Sequence, residues 1–382
     1  MNQTEQILLQ AIQKSLWNKE ITFPDDTDWD AVLKEATVQT VLGVAIGAAP
    51  SDVQQKWKGM ISAGTAHFVR ILHYQEQLYN LLKEYGIPMV ILKGTAAAIY
   101  YPNPSLRVMG DIDFLVPLEQ FDHAKEILTQ NGYTIKDDPR YSRHIDVRKD
   151  QVSFEMHRYF SECNVDIEQY ILEQFDDAKC GIIFGKSFPM LPRLANGLVL
   201  LAHISYHLQT GLGLRQVIDW MTYVNRELDD AFWHQGFHEA AKESGMEILA
   251  ITITRLCQIY LGLSDEITWC KDASADLCSE LMESILLAGN FGRKQGHGRS
   301  ISNTVTNLKE MGFFRYLQIA GEFNWKAYHK HKWLKPFCWI YQIGRYTRQG
   351  LETNRSRKQV LDDVGRGNQR AELLEKLGLK RE

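Results

Sequence analysis

The stretch ILKGTAAAIYYPNPSLRVMGDIDFLV, residues 91–116, decides how this chain is read. At its centre Asp111, Ile112 and Asp113 sit in an apolar run, with Gly110 just before them. Side chains alternate between the two faces of a strand, so Asp111 and Asp113 share one face while Ile112 and Phe114 take the other. The apolar face is free to enter a core, and two carboxylates project together into solvent. Neighbouring carboxylates repel, and a hard divalent cation with oxygen ligands relieves that repulsion. The stretch therefore reads as a metal site on a sheet edge or rim. A plain solvated strand face is the competing reading of an isolated Asp-x-Asp. An EF-hand is excluded, because Phe114, Leu115 and Val116 stand where its loop needs other residues.

The flanking residues add to the pattern. Upstream, Pro88 to Leu92 is a short apolar run that predicts a strand, broken at Lys93-Gly94-Thr95 and continued by the helix formers Ala96, Ala97 and Ala98. A strand, a Gly-Thr turn and a helix start present free backbone N–H groups to a phosphate. Downstream, Val152 to His157 alternates as a strand, which puts Glu155 and His157 on one face and Phe154 and Met156 on the other. A third acid on a neighbouring strand completes an acidic cluster able to hold two metal ions.

Gly94-Thr95, Asp111-Ile112-Asp113 and Glu155 in this order resemble the DNA polymerase β-like nucleotidyltransferase superfamily. Within it, the LKG, R-x-x-GDID and E-x-H pieces resemble the bacterial, uncharacterised nucleotidyltransferase-fold group, over roughly residues 85–225. The superfamily usually carries Gly-Ser at the phosphate turn, where this chain has Gly94-Thr95 preceded by Lys93. The resemblance implies transfer of a nucleotidyl group from an NTP to a hydroxyl-bearing acceptor, supported by Mg²⁺ or Mn²⁺. It implies Asp111, Asp113 and Glu155 as metal ligands and catalytic acids, and Gly94 and Thr95 as phosphate contacts through backbone N–H and hydroxyl. Lys93 is then either a point charge for the triphosphate or a surface lysine. Arg107 either clamps phosphate or pairs with an acid. His157, sharing a face with Glu155, orients it, binds metal or acts as a base.

Composition sets limits. With 382 residues, two or three domains are the natural expectation, and 45% apolar residues are ample for folded cores. A net charge of −4 lacks the basic footprint of bulk nucleic-acid binding. The start lacks the basic and apolar regions of a signal peptide, and no apolar run reaches the ~18 residues of a membrane span. Six cysteines (Cys163, Cys180, Cys257, Cys270, Cys278, Cys338) without a C-x-x-C pair read as reduced thiols of a cytoplasmic protein, mostly in the core.

The predicted fold class is α+β: a small mixed sheet in residues 88–192, flanked by an N-terminal helical region, 1–87, and a C-terminal helical domain with a charged tail, 193–382. Helical spacing is clearest at Ile7, Leu8, Ile12 and Leu16, and in a long helix from Asp52 to Tyr85 ended by Gly86-Ile87-Pro88. The N-terminal part is expected to buttress the sheet or wall a cleft. His144 to Arg148, a turn at Lys149-Asp150 and Gln151 to His157 predict a hairpin. Residues 182–184 and 188–190 are weaker strand candidates. In the C-terminal part, His203 and His207 lie at i, i+4, a spacing that chelates zinc when a third ligand exists; a core or interdomain role is the alternative. Arg215 and Asp219 are expected to form an i, i+4 pair, and all four to face the nucleotide cleft. Residues 289–300 read as a mobile basic surface loop, the aromatic run 333–346 as packed on the helices rather than on a membrane surface, and the tail from Arg345 as a solvated or partly disordered helix.

Two other functions stay open. One is a metal–nucleotide-binding regulator, or toxin–antitoxin component, that keeps the fold without turnover. The other is a DxD glycosyltransferase using a sugar nucleotide.

Overall fold

Sequence periodicity becomes structure first in the N-terminal helices α1 (Gln3–Trp17), α2 (Trp29–Val38), the single turn α3 (Leu42–Ala45) and the long α4 (Ser51–Glu84). The structure, a computed structural model, describes residues 1–138, 143–160, 167–295, 298–352 and 356–379. Asn2 and Glu5 close a capping box at the head of α1, whose Ile7, Leu8, Ile12 and Leu16 are buried. The apolar stripe of α4, Phe68, Ile71, Leu72, Leu78 and Leu82, is buried in its second half, where the helix lies against the sheet. At its end the Ile87 N–H donates to the Leu82 carbonyl at 2.9 Å, the wrap expected of a helix closed by a left-handed glycine, here Gly86 at φ 68°.

The middle of the chain alternates strand and helix: β1 (Val90–Leu92), α5 (Gly94–Ala98), β2 (Ile112–Leu115), α6 (Phe121–Gln130), β3 (Thr134–Lys136), β4 (His144–Lys149), β5 (Val152–His157), α7 (Glu168–Phe175), β6 (Lys179–Ile183) and β7 (Lys186–Met190). Among the described residues these strands form one seven-stranded mixed sheet in the order β3-β4-β5-β2-β1-β7-β6. β2 sits at the centre, antiparallel to β1 and parallel to β5. Ile112 and Phe114 of β2 enter the core with Phe154 and Met156 of β5; each such side chain contributes roughly 1.5–3 kcal/mol on burial. The weak candidates near 182 and 188 belong to a true hairpin, and β7 continues the sheet beside β1. In the β4–β5 hairpin Lys149 faces Val152, so the turn is Asp150-Gln151, one residue later than expected.

The remainder is helical: α8 (Arg193–Thr210), α9 (Leu214–Glu227), the turn α10 (Asp230–Phe232), α11 (His238–Glu243), α12 (Glu247–Leu261), α13 (Ala275–Ala288), α14 (Gly298–Met311), α15 (Phe313–Asn324), α16 (Lys326–Lys330), α17 (Cys338–Glu352) and α18 (Arg357–Lys376). The N-terminal helices dock here as well as near the sheet. Gln13 and Trp17 of α1 donate to the Tyr260 and Leu261 carbonyls of α12, and the side-chain Oε1 of Gln39, just after α2, accepts the Leu214 N–H of α9.

Three expectations change. Residues 290–295 are packed rather than a mobile surface loop: Phe291 N–H donates to the Gly211 carbonyl, Asn290 is buried and accepts from Gln216, and a Cβ at Gly211 would lie 2.1 Å from the Gly292 nitrogen. Residues 296 and 297 of that loop lie outside the described residues. The tail is not a solvated helix either, because α18 packs on α14 and buries Leu373, Leu374, Leu377 and Leu379. Asp363 and Arg370 of α18 are buried along with the four leucines, and Arg370 donates to the Gln209 carbonyl of α8. Conversely the aromatic run 333–346 is only partly covered: Cys338 and Gln342 are buried, whereas Trp333 is 72% exposed and Phe337 and Ile340 about half. Of the cysteines, Cys257, Cys270, Cys278 and Cys338 are buried free thiols, Cys180 is exposed, and Cys163 lies outside the described residues. No helix among the described residues is long and apolar enough to cross a membrane.

Candidate functional site

The centre of the sheet carries its chemistry in one cross-strand row. Leu92 of β1 faces Asp113 of β2, which faces Glu155 of β5, which faces Asp146 of β4. His157 lies two residues beyond Glu155, hence on the same face, and pairs with His144 across the hairpin. All four residues of β2 are buried, so Asp113 does not project into solvent as its strand alternation suggested. It is 6% exposed and its charge is answered inside the protein.

Two cations answer it. Lys93 Nζ lies 2.9 Å from Asp113 Oδ1, and His157 Nε2 lies 3.2 Å from the same oxygen. His157 Nε2 is also 3.6 Å from Glu155 Oε2. Lys93 is therefore neither a surface lysine nor exposed; it is 8% exposed, with Nζ 5.6 Å from the Phe160 ring centre. Its backbone takes φ 53° and ψ −140°, and Gly94 follows at φ 43°. A non-glycine residue in that region costs ~1–3 kcal/mol, and the reward is the turn that folds the ammonium back over β2. The adjoining Thr95 is fully buried and its hydroxyl donates to Gln75 Oε1 of α4 at 2.7 Å. That hydroxyl is committed to the core, which corrects its expected role as a phosphate contact and leaves Thr95 only its backbone N–H.

Electrostatics separate the carboxylates. Burial opposes the charge of Asp113, but Lys93 and His157 outweigh it and hold the carboxyl well below its usual range. Asp111, just before β2, has the opposite fate: burial, then Asp113, then Glu155 push it up to about 6, and Lys93 compensates only in part. Burial would lower His157, yet its hydrogen bonds to Asp113 and Glu155 leave it above an ordinary imidazole. His144 is held below the ordinary value, mainly by burial. The cluster thus carries more negative charge than its own cations neutralise. Oxygen donors in such excess suit a hard divalent cation, but among the described residues Asp111, Asp113 and Glu155 do not bring one ligand atom each within 4.8 Å of the others; the group that does is His144, Glu155 and His157.

A second polar knot joins the segment before β2 to the helices. Arg107 donates through Nε to Asp219 Oδ1 and through Nη2 to Asp219 Oδ2, both at 2.8 Å, and Tyr101 OH donates to Oδ1 at 2.8 Å. Arg107 is 5% and Asp219 2% exposed. Burial weighs against the guanidinium charge and Asp219 more than restores it. The expected Arg215–Asp219 pair is accordingly not formed, since the forked geometry of Arg107 takes both carboxylate oxygens. Arg107 is then spent on an acid rather than on phosphate. Arg215 Nη1 donates instead to the Val108 carbonyl at 3.3 Å, and its buried Nε has no hydrogen-bond partner among the described residues. Burial, then Arg107, pull Arg215 below its ordinary value, while Asp219 and Asp111 counter them.

Of the histidines on α8, His203 lies in the field of Lys93, Arg215 and Arg107, which with burial hold it well below an ordinary imidazole. His207 is buried, its ring 4.4 Å from that of His203 and 4.7 Å from Phe291. Among the described residues they belong to no metal-holding group of three. Asn196, also on α8, ties the helix to α5 by donating to the Ala96 carbonyl and the Tyr100 hydroxyl.

Sequence reasoning missed His144, Tyr101, Gln75 and Asn196. For His144 the expected turn misled: a turn at Lys149-Asp150 sets it opposite Glu155, whereas the turn at Asp150-Gln151 sets it opposite His157. The others meet partners far along the chain and left no local trace.

Comparison with known proteins follows the same line. Two solved structures are similar over part of the chain. One is ANT(2'')-Ia in complex with adenylyl-2''-tobramycin, at 12% identity and a TM-score of 0.32, covering 45% of this chain and 95% of that one. The other is an antigenic nucleotidyltransferase-like protein from Paracoccidioides brasiliensis, at 12% identity and a TM-score of 0.33, covering 51% of this chain and 93% of that one. No curated protein matches significantly. The profile of the uncharacterised nucleotidyltransferase family matches residues 25–262, from α2's approach to the end of α12 and across the whole sheet. The chain belongs to that uncharacterised nucleotidyltransferase family, and nucleotidyl transfer is its class of chemistry.

Proposed function

We propose that the protein transfers the nucleoside monophosphate of an NTP to a hydroxyl-bearing acceptor, a small molecule, a protein or an RNA end, with Mg²⁺ or Mn²⁺ held by Asp111, Asp113 and Glu155. The observation that supports this reading best is the cross-strand row that sets Asp113 beside Glu155, with Asp111 just before β2 pushed up to about 6 by burial and then by Asp113 and Glu155. When bound, the cation supplies neutralisation of the triphosphate and a lowered pKa for the attacking hydroxyl.

The chain's own residues do the rest. The acceptor oxygen forms a bond to the α-phosphorus, the bond from that phosphorus to the β-bridging oxygen breaks, and pyrophosphate leaves. Glu155 has the more open carboxylate, with 30% of its side chain exposed against 8% for Asp113. It takes the hydroxyl proton as general base. His157 holds Glu155 and Asp113 in register from one nitrogen. Lys93 stands at the turn before α5, close enough to turn from Asp113 to the incoming triphosphate as a point charge. The backbone N–H groups of Gly94 and Thr95 serve the same phosphates. Arg215, with an unspent Nε, is the guanidinium suited to them; Arg107 with Asp219 holds the loop that carries Asp111.

The test incubates the protein with each α-labelled NTP and either Mg²⁺ or Mn²⁺, measuring pyrophosphate and label on protein or added acceptor. Label transferred by the wild type and absent from the Asp111→Asn, Asp113→Asn double variant is the expected result. Retained transfer in that variant contradicts the assignment. Stabilisation by a sugar nucleotide beyond that given by any NTP, without pyrophosphate, moves the reading to glycosyl transfer.

A further inference from the structure

We infer that His144, Glu155 and His157 form a site for a transition-metal dication, of the Mn²⁺, Co²⁺ and Zn²⁺ class, on the β4–β5 side of the carboxylate row. Glu155 is shared with the proposed nucleotide site, so the inference rests in part on that reading, although binding itself needs no nucleotide.

Geometry carries the argument. One ligand atom from each of the three residues lies within 4.8 Å of the others, and among the described residues no other such group occurs. Ligands that share one ion at ~2.0–2.2 Å sit roughly 3.0–3.6 Å apart. His157 Nε2 and Glu155 Oε2 are already at 3.6 Å, so closing the group takes modest side-chain rotation and no backbone change.

The platform is rigid. His144 and His157 are directly paired on antiparallel strands, with ring centres 5.2 Å apart, and Glu155 is two residues away on the same face. Asp113 Oδ1, 3.2 Å from His157 Nε2, either orients that ring or adds an oxygen to the ion. Three side chains leave room for water or substrate, the arrangement of catalytic rather than structural zinc sites.

Ligand type sets the metal. Carboxylate and water suit Mg²⁺, whereas imidazole suits the later first-row ions. Two imidazoles beside one carboxylate therefore discriminate against Mg²⁺ in a cell where it is abundant. The consequence is a metal preference that an all-carboxylate cluster lacks.

The experiment titrates the chelator-stripped full chain with Co²⁺ in the absence of nucleotide, reading the visible ligand-field absorption. One Co²⁺ per chain, displaced by Zn²⁺ but not by a large excess of Mg²⁺, is expected. His144→Ala weakens this binding by at least tenfold, and His73→Ala, an exposed histidine of α4 outside the site, leaves it unchanged. In parallel, Zn²⁺ added to the wild-type protein shifts the imidazole nuclear-resonance signals of His144 and His157 together, a readout that requires no variant to fold. Absence of a saturable signal, displacement by Mg²⁺, or unmoved imidazole signals overturns the site. Failure of NTP transfer with Co²⁺ binding intact overturns the proposed function alone.

Discussion

Two buried ion pairs, Lys93–Asp113 and Arg107–Asp219, are built for different ends. Arg107–Asp219 is closed: two parallel hydrogen bonds at 2.8 Å and a tyrosine hydroxyl satisfy the carboxylate, and both partners are nearly sealed from solvent. Lys93–Asp113 is open: one ammonium and one imidazole converge on a single oxygen, with Asp111 and Glu155 close enough to raise the local negative charge. A satisfied pair fixes a loop to a helix. An unsatisfied one keeps an appetite for a cation. The difference is what turns two similar lists of residues into a clamp and a site.

The largest effect should come from breaking the closed pair. Removing one partner of a buried pair strands the other charge, at a cost of roughly 3–5 kcal/mol. Arg107→Ala should therefore lose about that much unfolding free energy in urea. A similar loss from Lys93→Ala would erase the distinction between the two pairs.

Breaking the open pair should cost activity instead. Asp113→Asn is expected to lower NTP transfer by at least ~100-fold, about 2.7 kcal/mol at the barrier, with far-UV circular dichroism unchanged. A variant of undiminished rate would mean that Asp113 only packs the sheet.

The third effect has the opposite sign. A carboxyl raised in the folded state destabilises folding progressively as pH climbs from its unfolded to its folded value, fully above that, and contributes nothing where both states are protonated. Asp111→Asn should accordingly raise stability by about 3 kcal/mol near pH 8, with the gain disappearing towards about pH 4. Melting curves across that range decide it; a pH-independent change would show that ionisation of Asp111 in its buried place is not what costs stability.

The smallest effect is on α8. His203 is held below the ordinary imidazole value, so the unfolded chain takes up its proton first as pH falls. Its contribution is complete above about pH 6.5 and erodes below, by about 1 kcal/mol on reaching pH 5.5. His203→Gln should flatten that part of the stability profile, and an unchanged slope would place the proton uptake elsewhere.

Much of this was legible before any coordinates. Period-two alternation marked β2 and β5, while Asp111, Asp113 and Glu155 as a metal-holding trio came from the resemblance and stand as a proposal. Helical spacing marked α1, α4 and α8. What was not legible depended on partners far along the chain. Arg215 and Asp219 satisfy the local rule for an i, i+4 pair, yet Arg107, 112 residues from Asp219, offers a better fork and takes it. Thr95 looked like a phosphate ligand from its turn, but Gln75 on α4 claims its hydroxyl. The α18 tail looked solvated because its charges dominate composition, while its burial depends on four leucines and the surface of α14. His144 was misplaced by one step of the turn: a turn at Lys149-Asp150 sets it opposite Glu155, and the observed turn sets it opposite His157.

The account turns on the open pair being a cation-dependent nucleotide site. Calorimetric titration of a non-hydrolysable NTP analogue, with and without Mn²⁺, into the wild type and Asp113→Asn tests this most directly. Binding at least tenfold tighter with the ion, and loss of that gain in the variant, is the predicted result. Binding of equal strength without the ion, undisturbed by the variant, would contradict it.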